Sequence, residues 1–514
     1  MRLTDVEKAM RDGGDGAAVA RAMDLLIRYG EALGAERLVE TYNVCGTVTA
    51  TTPFMRDFAL AQGGLDAVFS EFNLDSAEVV SVPKVRAFSS HLQLGFDPHH
   101  PVEMGVSDEI VQFYKRSEAM AAGMGVQMMN TCTPYQVGNV PTRGEHCAWM
   151  ESSAVIYVNS VLGARTNTEG RESTSAAMLT CRIPDWGYHQ DGPRQATQGV
   201  ELEIPVESVE DWGLLGYWMG DWVQDRVPAV RGAMGTPNLP RLKHFGAAAS
   251  SSGGVEMYHL IGITPEAPTW DVAFGGRRPQ EVRSYGARER AATLERINAM
   301  GTDRAVDYVM LGCPHYTIGQ IWEAAQLLEG RHVHANSALW IWTPRSIKDL
   351  ADRNGYTRII EAAGGKILTD SCSAMSRAVP PGTRVVACDS AKQAHYLPAI
   401  LGGASLVRHH GAVHRRGLHG AVAWRLNPSS SAAARSSAAW PKAKRWSPSS
   451  ASPAGAVSTP APAPSSRPGT SFAASASPAR CWCFRAPRAR RAGRRSSTWR
   501  APWAPPPQPG SSTR

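Results

Sequence analysis

Three cysteines of this chain stand in turns that follow apolar runs. Cys132 lies in Asn130-Thr131-Cys132-Thr133-Pro134-Tyr135, Cys313 in Gly312-Cys313-Pro314-His315, and Cys372 in Thr369-Asp370-Ser371-Cys372. Thiolates are soft ligands for iron–sulfur groups or zinc. A proline beside a ligating cysteine fixes the turn and removes a competing amide donor. The three are far apart in sequence and no CxxC pair accompanies them. Taken one at a time, each is read more plainly as a buried structural thiol. Cys45, Cys147, Cys181 and Cys388 carry that plain reading more strongly, Cys147 within a helical stretch and Cys388 at the end of a strand.

The elements that must position these turns read as α/β. Thr4 and Glu7 form a capping box ahead of a first helix, and residues 15–33 carry Met23, Leu26 and Ile27 at helical spacing. Residues 306–311 look like a buried strand that ends at the Cys313 turn, with a helix over 317–328. Residues 338–342, 366–369 and 383–388 are also strand-like. Residues 200–204 alternate apolar and acidic side chains, which suits an edge or half-buried strand, and Pro205 also favours an edge. Strands alternating with helices predict βαβ units in mostly parallel sheets, where ligands bind beyond the carboxyl ends of strands.

A longer pattern adds to this. The segments Ala148-Trp149-Met150-Glu151-Ser152-Ser153-Ala154-Val155 and Asn159-Ser160-Val161-Leu162-Gly163-Ala164-Arg165-Thr166-Asn167 resemble the signature of the aconitase X family. So do the Cys132 and Cys313 turns and Ser390-Ala391-Lys392-Gln393-Ala394-His395-Tyr396, in the same order and spacing. The resemblance spans nearly all of residues 1–405. It implies a multi-subdomain aconitase-like body, the large part of a dehydratase acting on a small hydroxy-carboxylate. Members of the family dehydrate cis-3-hydroxyproline or phosphomevalonate. The resemblance places iron on Cys132, Cys313 and Cys372. Keeping cysteine at all three positions resembles the archaeal, [4Fe-4S] pattern, with [2Fe-2S] and mononuclear iron as alternatives. A cubane with three cysteine ligands leaves one iron open to bind substrate and assist loss of hydroxide.

The same resemblance assigns further residues. Lys392 would bind a substrate carboxylate or phosphate, its plain alternative being a solvated surface lysine. Glu151 and Ser152 would sit at the start of a helix whose N–H groups favour anions, and helix capping is the ordinary reading of both. Glu151 would also hydrogen-bond substrate or take part in acid–base work. Gly46, Thr47 and Asn73 match substrate-loop positions. Arg165 reads equally as a structural ion-pair partner, and His315 as a satisfied core histidine. The family's small swivelling domain, which supplies a serine base, has no match in this chain, so a separate small subunit is an implied partner.

The net charge of +8 conceals two unlike parts. Residues 406–514 contain 18 Arg and Lys but no Asp or Glu, so all 46 acidic residues belong to residues 1–405. The basic segment has no Ile, Met or Tyr, and 15 prolines break any periodicity, which predicts a disordered tail. A shifted reading frame of a GC-rich gene gives the same bias. Arg480-Cys481-Trp482-Cys483-Phe484-Arg485, recast in GC-rich codons and read from the third base, becomes Val-Leu-Val-Leu-Pro-Gly, so the tail also fits a frameshifted swivelling domain. With that domain absent, the chain is either an active lyase or an impaired remnant that still holds iron. The acidic body argues against nucleic-acid binding through the Arg-rich tail. No His/Cys pair has zinc-motif spacing. No apolar run reaches membrane-spanning length and no secretory signal is evident, so a cytoplasmic protein without a membrane partner is expected.

Overall fold

The computed structural model describes residues 1–48, 71–73, 79–298, 306–400 and 406–409, the short segments 71–73 and 406–409 in backbone only. The basic segment from residue 410 onward, with the tail expected there, lies outside the described residues.

The N-terminal part begins with α1 (Asp5–Arg11), closed by the expected Thr4/Glu7 capping box, and α2 (Ala17–Ala32). Buried Val19, Ala22, Met23 and Leu26 on α2 face a core of Ala176–Leu179 side chains. A three-stranded parallel sheet follows, built from β1 (Asn43–Gly46), β2 (Phe88–His91) and, after α3 (Asp108–Met124), β3 (Cys147–Trp149). β1 lies between the other two and pairs Cys45 with Ser90 and Trp149. Cys147 therefore opens a strand rather than lying in a helix. All three residues of this Cys-Ala-Trp run are buried, which suits a strand covered on both faces better than an amphipathic helix. α4 (Ser152–Tyr157) and α5 (Arg171–Thr180) complete this part. Arg182 and Glu7 form a buried ion pair at 2.8 Å that ties α1 to the sheet side.

The middle part contains β4 (Gln198–Leu202), α6 (Val209–Val223), β5 (Pro228–Gly232), α7 (Leu239–Gly253), β6 (His259–Leu260) and β7 (Glu281–Tyr285). The sheet is parallel in the order β6-β5-β4-β7. β4 is thus central, not the expected edge. Its ladder ends at Leu202, so Pro205 falls beyond the strand and breaks no hydrogen bond. α6 and α7 press together through glycine. A Cβ at Gly216 would come within 2.3 Å of the Phe245 carbonyl oxygen, and one at Gly220 within 2.3 Å of the Ala249 oxygen.

The C-terminal part follows α8 (Ala287–Asn298). It comprises β8 (Tyr308–Leu311), α9 (Ile318–Leu328), β9 (Ala338–Thr343), α10 (Arg345–Arg353), α11 (Tyr356–Ala362), β10 (Gly365–Thr369), β11 (Val385–Cys388), α12 (Ala391–Ile400) and β12 (Leu406–His409). All five strands run parallel in the order β10-β9-β8-β11-β12. The last strand lies beyond residue 405. Near-continuous apolar runs such as Tyr308-Val309-Met310-Leu311 fit strands buried on both faces. Among the described residues no helix is long and apolar enough to cross a membrane.

Candidate active site

The C-terminal sheet delivers chemistry at the carboxyl ends of three strands. β8 leads into Gly312-Cys313-Pro314-His315, β10 into Asp370-Ser371-Cys372, and β11 into Asp389-Ser390 and then Lys392 on α12. The N-terminal sheet does the same. β1 ends at Gly46 with Thr47 next, β2 at His91, and β3 leads to Glu151 at the cap of α4. The two sheets meet end to end: Leu94 N–H donates to the Asp370 carbonyl at 2.7 Å, and the Gln93 amide lies 3.1 Å from His315 Nε2. Cys132 departs from expectation in one respect. No strand precedes it; Gln127 makes only an isolated bridge to Ser90.

Each cysteine turn is entered through left-handed backbone. Asn130 has φ 48°, Gly312 φ 97° and Asp370 φ 65°. At Gly312 the space matters as well, since a Cβ would lie 2.1 Å from the Trp342 carbonyl oxygen. Glu151 joins the set with φ 70°. Left-handed non-glycine residues cost about 1–3 kcal/mol each and concentrate where surrounding structure over-determines a site.

All three thiols are buried. Burial pushes Cys132 up to about 12, Cys313 well above the ordinary thiol value, and Cys372 above it as well. In every case the Lys392 ammonium pulls down and the Glu151 carboxylate pushes up, so the three share one pair of charged neighbours. Cys313 also feels both other cysteines. Lys392 is the reverse of a solvated lysine. Its ammonium donates to Glu151 and, at 3.2 Å, to Ser153 Oγ. Burial draws its pKa down, but the charges of Glu151 and Cys313 outweigh burial and leave it above the ordinary lysine value. The other Glu151 oxygen accepts the Ala154 N–H at 2.9 Å and the Ser153 hydroxyl at 2.6 Å. Capping and charge pairing are thus performed by one side chain, and Ser152 opens the helix beside it.

The other expected residues fall at differing distances from this centre. The Thr47 hydroxyl meets His91 Nε2 at 3.1 Å, while His91 Nδ1 lies 2.6 Å from the Leu92 carbonyl. That carbonyl can only accept, so Nδ1 carries the proton and Thr47 donates to Nε2. Gly46 faces Thr174, whose Oγ1 would lie 2.3 Å from any added Cβ. Asn73 ends the short strand Glu71–Asn73, and its side chain lies outside the described residues. Arg165 pairs with Asp191 and donates to the His189 carbonyl at 2.8 Å.

Three participants escaped the sequence. Lys243, buried on α7, donates to the His315 carbonyl, and burial lowers its pKa to about 7 against the opposing charges of Cys132, Asp389 and Cys313. Its place on an apolar helix gave no sign of this. Thr131 and Ser153 adjoin the quoted motifs but lack any spacing rule of their own.

The donor set fits an iron–sulfur group. It consists of three buried soft thiols, offset by the Lys392 ammonium and supported by an amide, since His315 N–H donates to Cys132 Sγ at 3.4 Å. Among the described residues no three of His, Cys, Asp and Glu are gathered tightly enough to share a single ion.

Comparison with known proteins bears on the family of the chain. Models of the Aconitase X first, second and third domains match residues 1–192, 196–295 and 306–415. The phosphomevalonate dehydratase large subunit of Methanothermobacter thermautotrophicus is 36% identical over 403 residues, covering 78% of this chain and 94% of that protein. The cis-3-hydroxy-L-proline dehydratase of Pseudomonas aeruginosa is 33% identical over 406 residues, covering 78% and 67%. The crystal structure of Thermococcus kodakaraensis aconitase X in its holo-form superposes with a TM-score of 0.67 at 30% identity, covering 80% of this chain and 97% of that one. Fold and relatives together place the chain among dehydratases, enzymes of the hydro-lyase class. The chain belongs to the aconitase X family.

Proposed function

We propose that the chain is an iron–sulfur hydro-lyase that removes water from a small hydroxy-carboxylate. The observation that carries this is the burial of Cys132, Cys313 and Cys372 in three turns that hydrogen bonds of His315 link together. These cysteines would hold the cluster, which when bound supplies a Lewis acid for departure of the hydroxyl group. A [4Fe-4S] group held by three thiols would leave one iron without a protein ligand, open to substrate. The catalytic part comprises residues 1–405, extended by the short strand that follows.

The chain's own residues do the rest. Lys392, held on α12 by Glu151 and Ser153, offers its ammonium to a substrate carboxylate or phosphate. Glu151 keeps a carboxylate beside that ammonium, placed to hydrogen-bond a substrate amine or hydroxyl. Ser152, the Gly46–Thr47 turn and Asn73 complete the substrate contacts. The Thr47 hydroxyl donates a hydrogen bond to His91 Nε2, which leaves its oxygen lone pairs to accept from a substrate donor. Proton abstraction next to the carboxylate falls to a group on a separate small subunit, as the large-subunit name of the archaeal relatives suggests. Both cis-3-hydroxyproline and a phosphomevalonate-like acid satisfy this scheme. Anaerobically purified chain should be brown, and Cys132→Ser should bleach it. Turnover of either acid should be poor until a small subunit is added. A colourless wild-type protein, or full activity of the chain alone, would contradict the scheme.

A further inference from the structure

His315 takes no part in the chemistry proposed so far, yet it touches all three cysteine turns. It lies two residues after Cys313 and is fully buried. Its Nδ1 is 2.8 Å from the hydroxyl of Thr131, the neighbour of Cys132. Its Nε2 is 2.7 Å from the carbonyl of Ser371, the neighbour of Cys372. Its backbone N–H donates to Cys132 Sγ at 3.4 Å. Its carbonyl accepts from Gln136 at 3.1 Å and from the Lys243 ammonium.

The protonation pattern follows from the partners. The Ser371 carbonyl can only accept, so Nε2 carries the hydrogen. Nδ1 then accepts from the Thr131 hydroxyl, whose lone pairs receive the Thr133 N–H at 3.1 Å. Gln93, 3.1 Å from the same Nε2, must then turn its amide oxygen toward it, and with that each bond has one direction. The turns themselves come from separate elements: one from the loop after Gln127, one from β8 and one from β10. No backbone ladder joins the first to the other two, and a side-chain network must fix its distance. Buried networks of this kind rigidify a site when every member is satisfied.

We infer that His315 is a positioning residue, a neutral imidazole that sets the spacing of the Cys132, Cys313 and Cys372 turns for a cluster. The inference rests on the iron–sulfur reading of the site but makes a separate demand on the metal-free protein. With the tie cut, the turns should drift apart before any iron arrives.

The test uses the full chain with ferrous iron and sulfide under anaerobic conditions. Wild type, His315→Leu, His315→Gln and Thr131→Val are compared for iron retained after desalting, for visible absorption, and for alkylation of each cysteine in the metal-free state. Leu keeps bulk and removes both side-chain bonds. Gln keeps an N–H that can reach Ser371. Expected are at least fivefold less iron in His315→Leu and in Thr131→Val, with partial recovery in His315→Gln. Cys132, Cys313 and Cys372 should alkylate several times faster, while Cys45 and Cys147 in the N-terminal sheet stay protected. Wild-type iron retention and wild-type alkylation in Thr131→Val would overturn the inference, even if His315→Leu fails to fold. So would a general rise in reactivity that includes Cys45 and Cys147 and is not rescued by Gln. Absence of iron from wild type would sink the cluster reading instead, and the alkylation comparison would still decide the tie.

Discussion

Lys392 and Glu151 form an ion pair across 241 residues of chain, one from the start of α12 and the other from the cap of α4. The pair joins the carboxyl ends of two parallel sheets, Lys392 following β11 and Glu151 following β3. Both side chains are mostly buried, at 14% and 17% exposure. Removing one partner of such a pair leaves the other charge stranded, at a cost of about 3–5 kcal/mol if it were fully dry and less here. Lys392→Met should therefore lower the unfolding free energy by about 2–3 kcal/mol in denaturant titration. It should also raise KM for an anionic substrate by more than tenfold. Glu151→Gln keeps the Ala154 hydrogen bond but strands the Lys392 ammonium, so it should lose a comparable amount of stability while kcat falls.

Gly312→Ala tests the entry to the Cys313 turn. Its φ of 97° and the 2.1 Å approach to the Trp342 oxygen leave no room for a methyl group. Left-handed strain and overpacking each cost about 1–3 kcal/mol. Thermal unfolding should move down by several degrees, and iron retention should fall with it. An unchanged melting temperature would mean that this turn relaxes freely.

Gly220→Ala provides the contrast. The 2.3 Å approach to the Ala249 carbonyl lies in the α6–α7 contact, away from the three cysteine turns. Forcing the helices apart should cost about 1–3 kcal/mol of stability. Iron per folded chain should stay at the wild-type value. Equal iron loss in both glycine variants would show that loading reports only general stability.

Acid should loosen the C-terminal sheet through Asp97. Burial opposes its charge, but hydrogen bonds from His100, His99 and Thr369 outweigh burial and hold its pKa below the ordinary value. A carboxylate with a depressed folded pKa contributes stability above its unfolded value of about 3.9, and that contribution disappears as pH falls through the folded value. Unfolding free energy should thus drop below about pH 4. In Asp97→Asn the drop over this window should be shallower than in wild type.

Much of the C-terminal part was legible because its strands are short apolar runs closed by glycine or cysteine turns. β8, β9, β10 and β11 fall where those runs lie, and the helix expected over 317–328 forms as α9 with Thr317 as its cap. β4 was misplaced at an edge because alternation reports half-burial, while Glu201 reaches solvent along a central strand to pair with Arg231. Cys147 was misread because a three-residue strand carries too little periodicity to distinguish from a helix. The separate cysteine turns were visible, but their meeting was not. It depends on His315, Lys243 and Gln93, whose contacts span different parts of the fold. Residue type alone gave no sign that Lys392 is buried, and only the longer motif singled it out.

The most direct measurement is iron and acid-labile sulfide per chain, in wild type and in Cys132→Ser, Cys313→Ser and Cys372→Ser, after anaerobic purification. The account predicts about four of each in wild type and marked loss in every single variant. Wild-type iron and sulfide in any of the three serine variants, or none in the parent, would contradict it.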